Sequence, residues 1–197
     1  TWVLSRLAIE VEDMPKAYDK FFVETWVDSA LRAFTSRNFK IVGESGHVYG
    51  YGKSVWAMID LDTRHPADIL AVRGGLITEY IETEYPCPIE KSSRVKLSVG
   101  ATPIRSIDTY YNDVDINGHI NSVKYIEHVL DLWDVAWYKQ HCIKRFEIAY
   151  VAESHQGDRL HFYQEGRDSD TDFNVRITKS NRDSAEVEVC RCRVQFV

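Results

Sequence analysis

The sequence has no run of about 18 apolar residues, so it offers no candidate membrane-spanning helix. Thr1-Trp2-Val3-Leu4-Ser5-Arg6 lacks the basic start, apolar stretch and small-residue cleavage site of a secretory leader. There is no Gly-rich phosphate loop. Positive charge is in deficit, the net charge being −6, which argues against a broad nucleic-acid-binding face. Only four cysteines occur, Cys87, Cys142, Cys190 and Cys192, and their spacing matches neither a zinc site nor a Cys-x-x-Cys redox pair. His47, His65, His141, His155 and His161 form no ligand spacing either, so neither a metal nor a cofactor is expected. Cys190 and Cys192 lie two apart in a strand-like run and should share one buried face as small hydrophobes. A reduced, cytosolic protein fits this cysteine usage. The first residue is Thr, not Met, which suggests that the natural chain starts earlier.

What is present is enough to fold. The 197 residues are 44% hydrophobic and 27% charged, suited to one large domain or two smaller, similar ones. The first half reads as strands. Trp2–Val11 is apolar-rich and stops before Glu12-Asp13-Met14-Pro15; Phe21–Val27 is rich in aromatic and β-branched residues. Leu31, Ala33, Phe39 and Ile41 share one parity, and Gly43-Glu44-Ser45-Gly46 marks a turn. Tyr49, Tyr51, Val55, Ala57, Ile59 and Leu61 then recur with period two, with Gly50 and Gly52 placed to allow a bend or bulge.

Pro66, Gly74-Gly75, Pro86, Pro88 and Gly100 interrupt the pattern, with a short helical turn expected at Ile77–Ile81. The domain reading is therefore a first unit at 1–70, a connector at 71–100 and a second unit at 101–197. In the second unit a strand near Ile104–Tyr111 precedes one long helix. Ile120, Val123, Ile126, Val129, Leu130, Trp133 and Trp137 form its apolar stripe, and Val123, Ile126, Leu130 and Trp133 should be buried. Four strands follow, near 143–153, 158–165, 172–179 and 185–196. In the last, apolar parity slips by one residue between Val189 and Cys190, which predicts a bulge. A single helix on a curved antiparallel sheet is the hotdog arrangement. The first half reads as the same unit without its opening strand and helix. The expected fold is α+β, a tandem hotdog whose first unit is truncated at its N-terminus.

The densest polar cluster runs from Asn112 to Ser122, immediately before the helix. A helix start offers free backbone N–H groups and a partial positive charge, which suit a developing oxyanion. In an extended segment Asp115, Asn117 and His119 would share one side; Gly118 permits a sharp turn, and Asn121 or Ser122 can cap the helix. By composition alone the stretch reads more readily as an ordinary turn and cap.

Asp115-Ile116-Asn117-Gly118-His119-Ile120-Asn121-Ser122-Val123-Lys124-Tyr125 closely resembles the signature Asp-x-Asn-x-His-Val-Asn-Asn-x-Lys-Tyr of the acyl-acyl carrier protein thioesterases of plants and bacteria. Ile120 and Ser122 are the departures. Thr1-Trp2-Val3-Leu4-Ser5-Arg6-Leu7, Thr25-Trp26-Val27, Arg37-Asn38-Phe39, Ser54-Val55-Trp56 and Thr63-Arg64-x-Pro66 are similar to landmarks of the family's first unit. Downstream, Ala149-Tyr150-Val151-Ala152-Glu153-Ser154 resembles the family's Glu-Tyr-Arg-Arg-Glu-Cys strand, which places the family's catalytic Glu on Glu153 and its neighbouring Cys on Ser154. The resemblance implies a tandem hotdog hydrolase that releases fatty acid from acyl carrier protein. The expected location is the cytoplasm, of a bacterium rather than a plastid.

It further implies the catalytic set Asp115, Asn117, His119 and Glu153. Glu153 would take a proton from water, or attack directly to give an anhydride; Asn117 would hold the water or the carbonyl. His119 would attend the leaving thiolate, and Asp115 would orient Asn117 or His119 or raise Glu153 by repulsion. Ser154 lacks any nucleophile-elbow motif, and His128 reads as packing or surface. Rival readings are an acyl-coenzyme A thioesterase, a hotdog dehydratase, whose Gly-x-His-Phe-Pro run is absent, and a non-catalytic acyl-binding module. The expected partner is acyl carrier protein. Lys124, Lys144-Arg145 and the run Lys91-Ser92-Ser93-Arg94-Val95-Lys96 are candidates for a basic patch toward that acidic protein. No nucleic acid or membrane is expected. A homodimer is open, since a tandem pair mimics the dimer that single units form.

Overall fold

The period-two stretches of the first half become four antiparallel strands: β1 (Trp2–Val11), β2 (Phe21–Ala30), β3 (Phe34–Gly43) and β4 (Val48–Met58). They lie side by side in the order β2-β3-β4-β1. The computed structural model describes residues 1–98, 100–181 and 185–197. The bend expected in β4 is present. Ile41 pairs with Gly50 but Val42 pairs with Val48, so Tyr49 is an extra residue. Glycine is obligatory beside it, because a Cβ on Gly50 would sit 2.4 Å from the backbone oxygen of Glu10 on β1.

After β4 the chain makes 3-10 turns within Ile69–Tyr80, interrupted by non-helical backbone from Val72 to Gly75. The helical turn expected at Ile77–Ile81 thus begins earlier. Asp68 starts it, its carboxylate accepting the Leu70 N–H at 3.0 Å. Among the described residues the first half contains no α-helix. The chain divides into two compact units, Thr1–Ser92 and Ser93–Val197, a boundary inside the stretch expected as a connector. Val99 of that stretch lies outside the described residues.

The second unit is strand β5 (Arg105–Asp108), helices α1 (Ser122–Leu130) and α2 (Val135–Tyr138), then β6 (Ile143–Tyr150), β7 (Arg159–Gly166), β8 (Asp172–Ser180) and β9 (Val187–Phe196). The strands are antiparallel in the order β6-β9-β8-β7-β5. The single long helix expected over 120–138 is in fact two. Asp131 ends α1, and the Asp134 carboxylate caps α2 by accepting the Trp137 N–H at 2.8 Å, which starts a second helix. Trp133, in the break, packs on Phe173 and Phe196 with ring centroids 5.2 and 4.9 Å apart. The stripe is also rotated from expectation: Tyr125 and Val129 are buried, whereas Val123 is 53% exposed.

Beneath the helices the sheet presents a dry layer that includes Phe162, Val175, Ile177, Cys192, Val194 and Phe196, each essentially inaccessible. Cys190 and Cys192 are buried on one face as expected, and burial pushes both thiols up, so they are inert small hydrophobes. The bulge foreseen in β9 is present at Val189: Ile177 pairs with Cys190, but Thr178 pairs with Glu188. Val189 therefore has no cross-strand partner on β8, and both it and Cys190 face inward.

Candidate active site

Three short pieces of chain meet at the N-terminal end of α1. The first is a tight loop, not the extended segment expected. Val114 and Ile120 form an antiparallel bridge, Asp115 N–H donates to the His119 carbonyl at 2.8 Å, and Gly118 N–H donates to the Asp115 carbonyl at 3.1 Å. Gly118 closes the loop at φ +83°, in the left-handed region that glycine occupies without steric cost. The Asp115 carboxylate sits inside, accepting the Asn117 N–H at 2.8 Å and the His119 N–H at 3.2 Å, with Asn117 Nδ2 at 3.4 Å. Partial burial would raise its pKa, but these hydrogen bonds outweigh burial and hold the carboxyl below its ordinary value. Of the roles expected for Asp115, orientation of Asn117 and His119 is the one the geometry serves.

A second piece anchors this loop from below. Asp113 is nearly buried; its Oδ2 accepts the Tyr110 N–H at 2.8 Å, its carbonyl accepts the Asn121 N–H at 2.7 Å, and its Oδ1 lies 3.3 Å from His128 Nε2. His128, read from the sequence as packing or surface, ties helix to loop. Asn121 is the cap, its side chain accepting the Val123 N–H at 2.9 Å. Lys124 N–H is bonded to the Asn121 carbonyl at 2.9 Å. Two of the first-turn amides expected to serve an oxyanion are therefore already engaged.

The third piece is the segment after β6. The Val189 carbonyl in the β9 bulge accepts the N–H groups of both Val151 and Ala152, at 2.7 and 3.3 Å, and the Ser154 carbonyl accepts the Ile120 N–H at 2.8 Å. Glu153 is held between these two anchors. Its Oε2 lies 3.4 Å from His119 Nε2. Two positions on, the exposed His155 sets its ring edge-on to His119, centroids 5.1 Å apart and planes at 72°. His155 was discounted in the sequence for want of ligand spacing. Its one available signal was its alternation with Glu153 in an extended run.

Ser154 is fully buried, with an Oγ that has no hydrogen-bond partner. A nucleophile needs a base at hand and a path for substrate, and Ser154 has neither. Among the described residues no three His, Cys, Asp or Glu side chains converge as a metal site, and no helix is long and apolar enough to cross a membrane. The first unit separately holds a cavity of about 850 Å³, lined by Trp2, Trp26, Trp56, Met58, Leu76 and Ile77 among others.

The family model described as the acyl-ACP thioesterase N-terminal domain matches residues 1–72, and the model of the acyl-ACP thioesterase C-terminal domain matches residues 98–196. The chain belongs to the acyl-ACP thioesterase family. It is similar to a solved acyl-ACP thioesterase from Bacteroides thetaiotaomicron, with 48% identity and a TM-score of 0.90 over 100% of this chain and 76% of that one. The 12:0-ACP thioesterase from Umbellularia californica shares the fold at a TM-score of 0.84 and 21% identity, over 100% of this chain and 75% of that one. Among curated proteins, the chloroplastic palmitoyl-acyl carrier protein thioesterase of Gossypium hirsutum is 26% identical over 184 residues, 91% of this chain and 45% of that protein. The chain thus spans under half the length of that relative. The tandem hotdog fold is that of these thioesterases.

Proposed function

We propose that the protein hydrolyses the thioester of fatty acyl-acyl carrier protein, releasing free fatty acid, and that Asp115, Asn117, His119 and Glu153 carry the reaction. The observation that bears most weight is the contact of the Glu153 carboxylate with His119 on a loop organised by Asp115. Glu153 accepts a proton from water as the water oxygen bonds to the thioester carbon. The carbonyl oxygen becomes an oxyanion, for which the exposed Asn117 amide and the His119 imidazole supply the donors. Collapse breaks the carbon–sulfur bond, and the thiolate departs with a proton from His119 or from solvent. Asp115 keeps the loop's shape and touches no reacting atom.

An acyl chain would suit the apolar cavity of the first unit. The carrier, rather than coenzyme A, is favoured by family membership and by the named activities of its relatives. Four free cysteines suit a reducing cytoplasm, which is where we place the activity. The test is thiol release from acyl carrier protein loaded with saturated chains of several lengths, with the same acyl-coenzyme A series beside it. Hydrolysis of the carrier-bound series at the higher kcat/KM supports the reading. Dehydration of 3-hydroxyacyl chains with no thiol release, or a preference for coenzyme A, overturns it.

A further inference from the structure

On the side of the second sheet facing away from the helices, arginines are treated in two ways. Toward β6 they are neutralised. Arg193 grips Asp172 with two bonds, of 2.9 and 2.7 Å, and Arg145 meets Glu147 at 2.7 Å. Toward β7 the neutralisation is incomplete: Glu188 meets Arg191, while Arg176 forms no ion pair among the described residues. Arg176 of β8 stands directly opposite Arg191 of β9 in the register, an arrangement of like charges that opposes pairing. The chain entering the unit crosses this face, tied by Ser93 Oγ to Glu147 at 2.8 Å, by its Lys96 carbonyl to Asn174 at 3.1 Å and by Ser98 N–H to Glu165 at 3.0 Å. That crossing brings Arg94 and Lys96 to the same place. The four cations line a cavity of about 270 Å³.

One carboxylate lines it with them, Glu188, and it is taken by Arg191 at 2.6 Å. Arg176 lies over the Tyr163 ring at 4.3 Å, while its buried Nε has no hydrogen-bond partner. Arg94 and Lys96 are exposed and meet no carboxylate among the described residues. A chain of net charge −6 thus concentrates a net of three positive charges (four cations less Glu188) around one opening. Two of the other basic candidates are spent locally, Lys124 on Glu127 at 2.7 Å and Arg145 on Glu147.

We propose that Arg94, Lys96, Arg176 and Arg191 form the docking surface for the acidic protein that carries the acyl chain. The inference rests on the reading of acyl carrier protein as the substrate's carrier. Guanidinium pairs take carboxylates in planar, two-bond contacts, and an opening of this size admits one or two carboxylate side chains of a partner. An acidic partner relieves the Arg176–Arg191 repulsion. Attraction of this kind accelerates encounter and fades with salt.

The test is Arg94→Glu/Lys96→Glu, two changes at exposed side chains. Three substrates are compared: an acyl carrier protein thioester, the same acyl group on coenzyme A, and the same acyl group on N-acetylcysteamine, which carries no charge. Binding of carrier protein without an acyl chain is followed separately by fluorescence anisotropy. The expected result is a loss of about tenfold or more in kcat/KM for the carrier-bound substrate, mostly in KM, with a flatter salt dependence and weaker carrier binding. The N-acetylcysteamine and coenzyme A thioesters should stay within about twofold of the unaltered protein. Equal losses on all three substrates, unchanged carrier binding, or an equal loss on coenzyme A, which would mean a pocket that reads phosphate, each overturn it. An unaltered protein that binds carrier through these residues yet never cleaves its thioester leaves the docking surface standing and removes the proposed function instead.

Discussion

In the proposed reaction Glu153 is the base, and its contact with His119 sets the size of the expected effects. Glu153→Gln preserves shape and removes the base, so turnover should fall about 100-fold or more with acyl binding retained. Ser154→Ala should cost far less in stopped-assay kcat, because Ser154 is sealed from solvent and faces no base. A trapped acyl-serine, or the reverse ranking, would replace the water mechanism. Gly118→Ala meets no neighbour, yet forces a side chain into φ +83° at a cost of about 1–2 kcal/mol. Thermal unfolding should show this cost, and activity should fall with it as the loop loosens. His155 supplies a ring edge to His119 and no carboxylate. His155→Phe should therefore keep most of kcat, while His155→Ala lowers it with KM little changed; equal loss in both variants would point instead to a proton-carrying imidazole. Asp115, Asn117 and His119 were legible because their spacing is local. His155 was not, because nothing in a linear chain says that a residue 36 positions beyond His119 will lie against it.

Among the elements, the bulge in β9 was readable and its consequence was not. The parity slip at Val189 shows in the sequence, but only the fold reveals that the freed carbonyl takes the N–H groups of Val151 and Ala152 and so ends β6 just before Glu153. The helix failed in the opposite way. Apolar residues at three- and four-residue steps continue through Trp137, so periodicity extended one helix across Asp131–Asp134, where a local cap competes with the ladder. Asp134→Ala should remove that cap and cost about 1 kcal/mol in urea unfolding, with little change in turnover. In the first unit, Gly50→Ala sets a methyl 2.4 Å from the Glu10 oxygen, a backbone atom that cannot swing aside. It should destabilise by about 1–3 kcal/mol, the range for overpacking, and a Tm equal to that of the unaltered protein would contradict the close approach of β1 and β4.

Over the whole molecule, acid should be the weak flank. Asp13 and Asp60 are held below the ordinary carboxylate range chiefly by backbone N–H groups of Met14 and Thr63; at Asp115 and Glu186 burial pushes upward but hydrogen bonds prevail. Groups lowered by folding contribute stability that is complete above their unfolded pKa and is lost as pH falls through the folded value. Urea midpoints should thus be level near neutrality and decline below about pH 4, with amide shifts of Asn117 and His119 following Asp115. Across the same scale, the sequence by itself determined the strands of both halves, the buried cysteine pair, the bulge and the place of the signature segment before the helix, because each is written in periods of two residues or in a local run of turn-forming side chains. Tertiary structure alone decided three things: that Glu153 meets His119, that His128 braces Asp113, and that Arg94 and Lys96 join Arg176 and Arg191. Each joins residues that a period or a turn cannot relate, since the distance between them is set by which strands lie side by side and where the crossing segment is tied down.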